Sequence, residues 1–188
     1  MGRLRIQYNA PVVLTFSLLS LAALLLGMAT GERSTWLLFC VYRSPLTDPL
    51  TYVRLFGHVL GHAGYGHFIS NIMLLLVVGP PLEEKYGSRT LLIGILLTAG
   101  VSGVLQCVFF PGSALLGASG IVFMLIMLAS LAGMKDGRIP LTLILAAVLY
   151  LGQEVYAMVA LRDNVANFMH LVGGVTGTVF GIALAKKR

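Results

Sequence analysis

Ser119 lies in the stretch LLGASGIVF (Leu115 to Phe123), between Gly117 and Gly120, at the start of an apolar run that continues to Met134. A lone hydroxyl in such surroundings asks for a purpose. His170 opens a second apolar run and is followed by Gly173, Gly177 and Gly181. Serine and histidine together are the minimum set for a nucleophile activated by a base. A third polar group precedes both: His58, His62, His67 and Asn71 fall within fourteen residues. His67 and Asn71 are four apart, so on a helix they share one face. His58 and His62 have the same spacing, but the HExxH pattern of a metal-binding helix is absent and no acidic or thiol ligand is near. No metal is therefore expected, and His58 and His62 read as residues that order their segment. For His67 with Asn71 the plain alternative is a hydrogen-bonded pair that fastens helices together.

The elements that must position these residues are membrane helices. The chain has 188 residues, 57% of them hydrophobic and 11% charged, with a mean hydropathy of +0.91. That composition excludes an ordinary soluble domain. Crossing ~30 Å of hydrocarbon takes roughly twenty apolar residues, and six runs qualify, at about 11–30, 65–85, 89–109, 114–134, 139–158 and 166–185. The expected fold is an all-α polytopic membrane protein, a six-helix bundle forming one domain over residues 1–188. The first run is too long for the core of a signal peptide and is read as a span. Residues 31–64, with Trp36, Tyr42 and Tyr52 and few polar groups, read as a loop of short helices lying at the membrane interface. Gly79, Pro80 and Pro81 should bend or loosen the end of the second span. The fifth span carries no charge before Gln153 and Glu154, so it is lightly anchored and free to move.

The net charge of +6 invites a nucleic-acid reading, but its distribution points to the bilayer instead. With the N-terminus inside, Arg3, Arg5, Lys85, Arg89, Lys135, Arg138, Lys186, Lys187 and Arg188 are cytoplasmic, against Arg33, Arg43, Arg54 and Arg162 outside. Nine against four fits the positive-inside rule with both termini cytoplasmic. In that topology Cys40 and Cys107 both fall towards the external side, which makes a disulfide between them geometrically conceivable.

Depth draws the polar residues together. Ser119 is sixteen residues from Lys135 and His170 sixteen from Lys186, or ~24 Å at 1.5 Å per residue. Counted from Lys85, Asn71 and His67 bracket the same level. All four then sit ~5–10 Å below the outer edge of the hydrocarbon, where polar groups face a partner or a water-filled cavity. Gly120, Gly173 and Gly177 offer the small surfaces that let the fourth and sixth spans meet closely. In this arrangement Ser119 is the nucleophile and His170 the base and later acid. The Ser119 amide, His67 and Asn71 are donors to a developing oxyanion. Asp163 lies in the loop before His170 and Glu154 near the outer end of the fifth span, so the reading is a dyad, with Asp163 a weak candidate for a third member.

These motifs resemble, over essentially the whole chain, those of the rhomboid intramembrane serine proteases. The family's HxxxxHxxxN appears as His62, His67 and Asn71, its GxSG as Gly117-Ala118-Ser119-Gly120, and its histidine segment with GxxxG as His170, Gly173 and Gly177. The ExxxG turn appears as Glu83 and Gly87, and the aromatic-x-Arg feature of the first loop, imperfectly, as Tyr52 and Arg54. The resemblance implies a six-helix rhomboid-like core in a bacterial or archaeal cell membrane and cleavage of the transmembrane segments of single-span proteins near their external end. It implies no cofactor. It also implies that Phe123 supports His170 where many members have tyrosine, keeping the ring without its hydroxyl. A proton-coupled transporter would need ionisable groups on the inner half, which are missing. A non-catalytic relative would not be expected to keep both Ser119 and His170.

Overall fold

The structure is a computed structural model that describes residues 7–132, 138–152, 156 and 164–185. Helix α1 spans Pro11–Ala29, α2 Arg33–Leu38, α3 Pro49–Gly57, α4 Tyr65–Tyr86, α5 Ser88–Phe109, α6 Ser119–Leu131, α7 Leu141–Ala146 and α8 Asn164–Ala185. Strand β1 (Val41–Tyr42) pairs antiparallel with β2 (Ala114–Leu115), Val41 opposite Leu115 and Tyr42 opposite Ala114. Four helices, α1, α4, α5 and the Val165–Ala185 part of α8, are long and apolar enough to cross a membrane by length and composition. The fourth expected run gives a shorter apolar helix, α6, of 13 residues. The fifth gives α7 running into a π-helical turn, Ala147–Leu151. Lys135, Gln153, Glu154, Arg162, Asp163 and Lys186 to Arg188 lie outside the described residues, as do Arg3 and Arg5.

Helix α6 is the axis of the bundle. Ile121, Met124, Leu125, Met127 and Leu128 are almost completely buried along one face, and the residues of the opposite face are half-buried rather than exposed, the mark of a helix with protein on most of its surface. At ~1.5 Å per residue it rises only ~20 Å. Its first turn begins at Ser119 rather than at residue 114, because Ala114 and Leu115 pair with β1 and Gly117 takes φ +127°, a value outside the right-handed helix that glycine adopts without strain.

Two polar ties fix the ends of the long helices. The Glu83 carboxylate, 4% exposed, accepts hydrogen bonds from the amides of Val12 (2.9 Å) and Val13 (3.0 Å). It thus satisfies donors that the first turn of α1 leaves open. Gly79 lets α4 approach α1 there: a Cβ on it would lie 2.7 Å from Val13. Lys85 Nζ donates to the carbonyl of Ala132, just past the end of α6. Despite Pro80 and Pro81, α4 runs unbroken to Tyr86.

The segment 31–64 contains the expected short helices. Arg54 organises it: the guanidinium is 2% exposed, pairs with Asp48 at 2.6 Å, bonds Ser44 at 3.0 Å and lies over a ring, 4.7 Å from its centroid. That ring is Tyr42; Tyr52, the sequence neighbour in the aromatic-x-Arg pattern, is exposed and bonds the Leu46 carbonyl. Asp48 caps α3 through the Leu50 amide, and Arg54 and that amide together hold its carboxyl below the usual range. Cys40 and Cys107 are both free thiols; burial pushes Cys40 up to about 11.

Candidate active site

Ser119 is the first residue of α6. Its amide belongs to the first turn and so has no acceptor within its own helix, and the positive end of the helix dipole lies behind it. Phe123 is one turn further on the same face. The imidazole of His170, from α8, stacks flat on the Phe123 ring, with 4.6 Å between centroids and 8° between planes. The spacing of α6 and α8 is set by glycine. A Cβ on Gly173 would lie 2.1 Å from the Gly120 carbonyl oxygen, and one on Gly177 2.3 Å from that of Met124, so backbone rests on backbone along this face.

His67 closes the other side. A Cβ on Gly117 would fall 2.8 Å from Cε1 and 2.9 Å from Nε2 of His67, so the imidazole lies against the loop two residues before Ser119. Both the contact and the positive φ require glycine at 117. His62 backs His67: it is 2% exposed, its ring meets those of His67 (5.1 Å) and Phe68 (5.4 Å) edge to face, and Nδ1 bonds the Leu60 carbonyl at 3.1 Å. Asn71 is buried and uses one amide hydrogen on the His67 carbonyl, at 3.0 Å, which leaves a second. Among the described residues no cluster of three or more His, Cys, Asp or Glu is arranged to hold a metal.

The structure thus gathers Ser119, His170, Phe123, Gly117, Gly120, Gly173 and His67 around the start of α6, with Gly177 one turn further along it and His62 and Asn71 in contact with His67; Asp163 falls outside the described residues. It also adds residues that sequence reasoning left out of the site. His58, 1% exposed, has Nδ1 3.2 Å from the Arg54 carbonyl and Nε2 3.3 Å from the Ser102 hydroxyl. Its own carbonyl accepts from the Gly117 amide at 2.9 Å. His58, Thr98, Ser102, Gly117 and Ser119 line a cavity of about 10 Å³, the room needed by one water. Gln106, fully buried, donates to the Ser113 hydroxyl at 2.9 Å and steadies the approach to β2. The available signal was spacing: Thr98, Ser102 and Gln106 recur every four residues and so line one face of α5.

A family model described as "Rhomboid domain" matches residues 49–187. Rhomboid protease GlpG of Pectobacterium atrosepticum is 29% identical over 177 residues, covering 91% of this chain and 62% of its own. Rhomboid protease GlpG of Yersinia pestis is 27% identical over 181 residues, covering 93% and 62%. Rhomboid-related protein 1 of Caenorhabditis elegans is 34% identical over 140 residues, covering 68% of this chain and 38% of its own. The chain therefore spans about six tenths of the length of these GlpG proteins, and less of the nematode protein.

Proposed function

The chain belongs to the rhomboid family and is an integral membrane protein, and from that premise we propose that it is an intramembrane serine endopeptidase working by a Ser119–His170 dyad. The observation that carries the proposal is the flat stack of His170 on Phe123, one helical turn from Ser119 and on its face of α6. Ser119 Oγ attacks the scissile carbonyl while His170 takes its proton, then returns it to the leaving amine. The oxyanion is met by the Ser119 amide, His67 and the remaining Asn71 hydrogen, each donor worth ~2.7–4 kcal/mol in the transition state. Water from the small cavity beside Ser119 then releases the acyl group. No step calls for a cofactor.

The same reading extends to the setting. Six spans form a single domain over residues 1–188 in a bacterial or archaeal cell membrane, with both termini cytoplasmic and Ser119 towards the outer face. Substrates are single-span proteins cut near their external end, where Gly or Pro weakens the helix, with a small residue before the cut. They approach laterally, past the fifth span. What supports a sunken site is the short rise of α6: non-helical backbone such as 110–118 is tolerated at membrane depth only where it is buried in protein or lines a cavity.

The test is labelling of the purified chain with a fluorophosphonate, paired with cleavage of a panel of single-span substrates and mapping of the cut. Wild type should label and cleave, and folded Ser119→Ala and His170→Ala should do neither. A folded wild type that neither labels nor cleaves would be a helix-binding relative without chemistry. Turnover near wild type in either variant would remove the dyad.

A further inference from the structure

Away from Ser119 the loop segment and α5 enclose a second cavity, of about 500 Å³, with Arg43, Leu46, Leu55, Val104 and Val108 among its walls. Its chemistry changes along its length. Val104 and Val108 precede the end of α5 at Phe109 by five residues and one, or ~7.5 and ~1.5 Å, and with Leu46 and Leu55 they make an apolar channel running down the helix. Leu46 and Val108 are 73% and 61% exposed, so the channel opens to the membrane. At its mouth stands Arg43, exposed and, among the described residues, without a hydrogen bond or ion pair. The nearby acid, Asp48, is already bound to Arg54. A fixed cation above an apolar channel, at the level where the helix leaves the hydrocarbon, is complementary to one kind of molecule.

We propose that this groove binds an anionic phospholipid of the Ser119-side leaflet, its phosphate on Arg43 and one acyl chain along Leu46, Leu55, Val104 and Val108. The site reaches the catalytic region through packing. A Cβ on Gly103 of α5 would lie 2.8 Å from the Leu55 carbonyl oxygen, and one on Gly100 3.3 Å from Phe56, so α3 is pressed directly on α5. One residue past α3, His58 joins Ser102 of α5 to the Gly117 amide, two residues before Ser119. A lipid in the groove clamps α3 to α5 and steadies that line of contacts. The lipid site does not depend on the proteolytic reading, and its test reads binding.

Delipidated full-length chain is titrated with phosphatidylglycerol or phosphatidylcholine, and bound lipid is counted by native mass spectrometry. Wild type should retain phosphatidylglycerol in preference to phosphatidylcholine. Arg43→Gln should weaken phosphatidylglycerol about fivefold, the effect of one arginine at an anionic surface, and phosphatidylcholine less, because choline offsets the charge of its phosphate. Val104→Trp, which fills the channel from its exposed side, should reduce both lipids, while Arg33→Gln, on the same face but outside the groove, changes neither. Equal retention of the two lipids by wild type, or wild-type retention of phosphatidylglycerol in Arg43→Gln, overturns the proposal; the second variant needs no repacking to fold. A raised KM in Arg43→Gln for a substrate with acidic flanking residues, measured in membranes of phosphatidylcholine alone and with phosphatidylglycerol retention unchanged, would give the groove to the substrate instead.

Discussion

Gly173→Ala tests the link between helix spacing and chemistry most directly. The added Cβ would sit 2.1 Å from the Gly120 carbonyl oxygen, against a floor of 3.0 Å for real Cβ contacts, so roughly 0.9 Å must come from movement. The obstacle is backbone, and no side-chain rotation relieves it. Gly120 directly follows Ser119, and Gly173 is one turn after His170, so the displacement opens the gap between the two members of the proposed dyad. A misplacement of ~1 Å between reacting groups costs on the order of 10²-fold in rate, and overpacking of this kind destabilises by ~1–3 kcal/mol. Gly177→Ala meets the Met124 oxygen at 2.3 Å, one turn further from Ser119, and should lose activity less steeply. Gly181→Ala meets the end of the Leu131 side chain at 2.6 Å, which can turn away, so its rate should stay within about threefold of wild type. The assay is kcat on a cleaved single-span substrate, with thermal unfolding in the same detergent to separate rate from fold. Gly173→Ala within about threefold of wild type, or Gly181→Ala falling as far as Gly173→Ala, would refute the reasoning.

Phe123→Leu removes the ring beneath His170; an aromatic stack is worth ~0.5–1.5 kcal/mol, so kcat should fall about 2- to 10-fold with KM little changed in steady-state assays. His58 and His62 are buried neutral, each with its pKa pushed down from 6.5 to about 4, chiefly by burial and for His62 also by His67. The unfolded chain takes up these protons below pH 6.5 and the fold does not until about pH 4. Stability should thus be level above pH 6.5 and fall as pH drops towards 4, by up to ~1.4 kcal/mol per pH unit for each histidine. Melting at pH 7.5, 5.5 and 4.5 measures that slope, and His58→Gln should flatten it. Proteolysis should survive exhaustive chelation; a chelator-sensitive enzyme restored by zinc would reassign His58, His62 and His67 as ligands.

Hydropathy located what hydropathy can. Runs at 65–85 and 89–109 became α4 and α5 with ends shifted by a residue, because nothing but helix satisfies an apolar segment of that length in lipid. The start of α6 was less legible: Ala114 to Leu116 suit a strand as well as a helix, and the choice is made by β1, more than seventy residues earlier. His58 was read as ordering its own segment, which it does through the Arg54 carbonyl, but its second bond, to Ser102, 44 residues away, was not legible. Glu83 was visible as half of a turn pattern, and its bonds to α1 were not, since a carboxylate carries no mark of the amides it will meet. Spacing along the chain exposes shared faces; it says nothing about which face is offered to which helix.

The Glu83 bond gives the molecule an order in time. The amides of Val12 and Val13 are made 71 and 70 residues before the carboxylate that satisfies them, which at ~5–20 residues per second is a wait of roughly 4–14 s. Throughout that interval water must serve those donors, so the Pro11 end of α1 stays at a wet boundary. The first helix to be synthesised among those described is thus free to slide and tilt until the end of α4 arrives, and acquires its final depth only then.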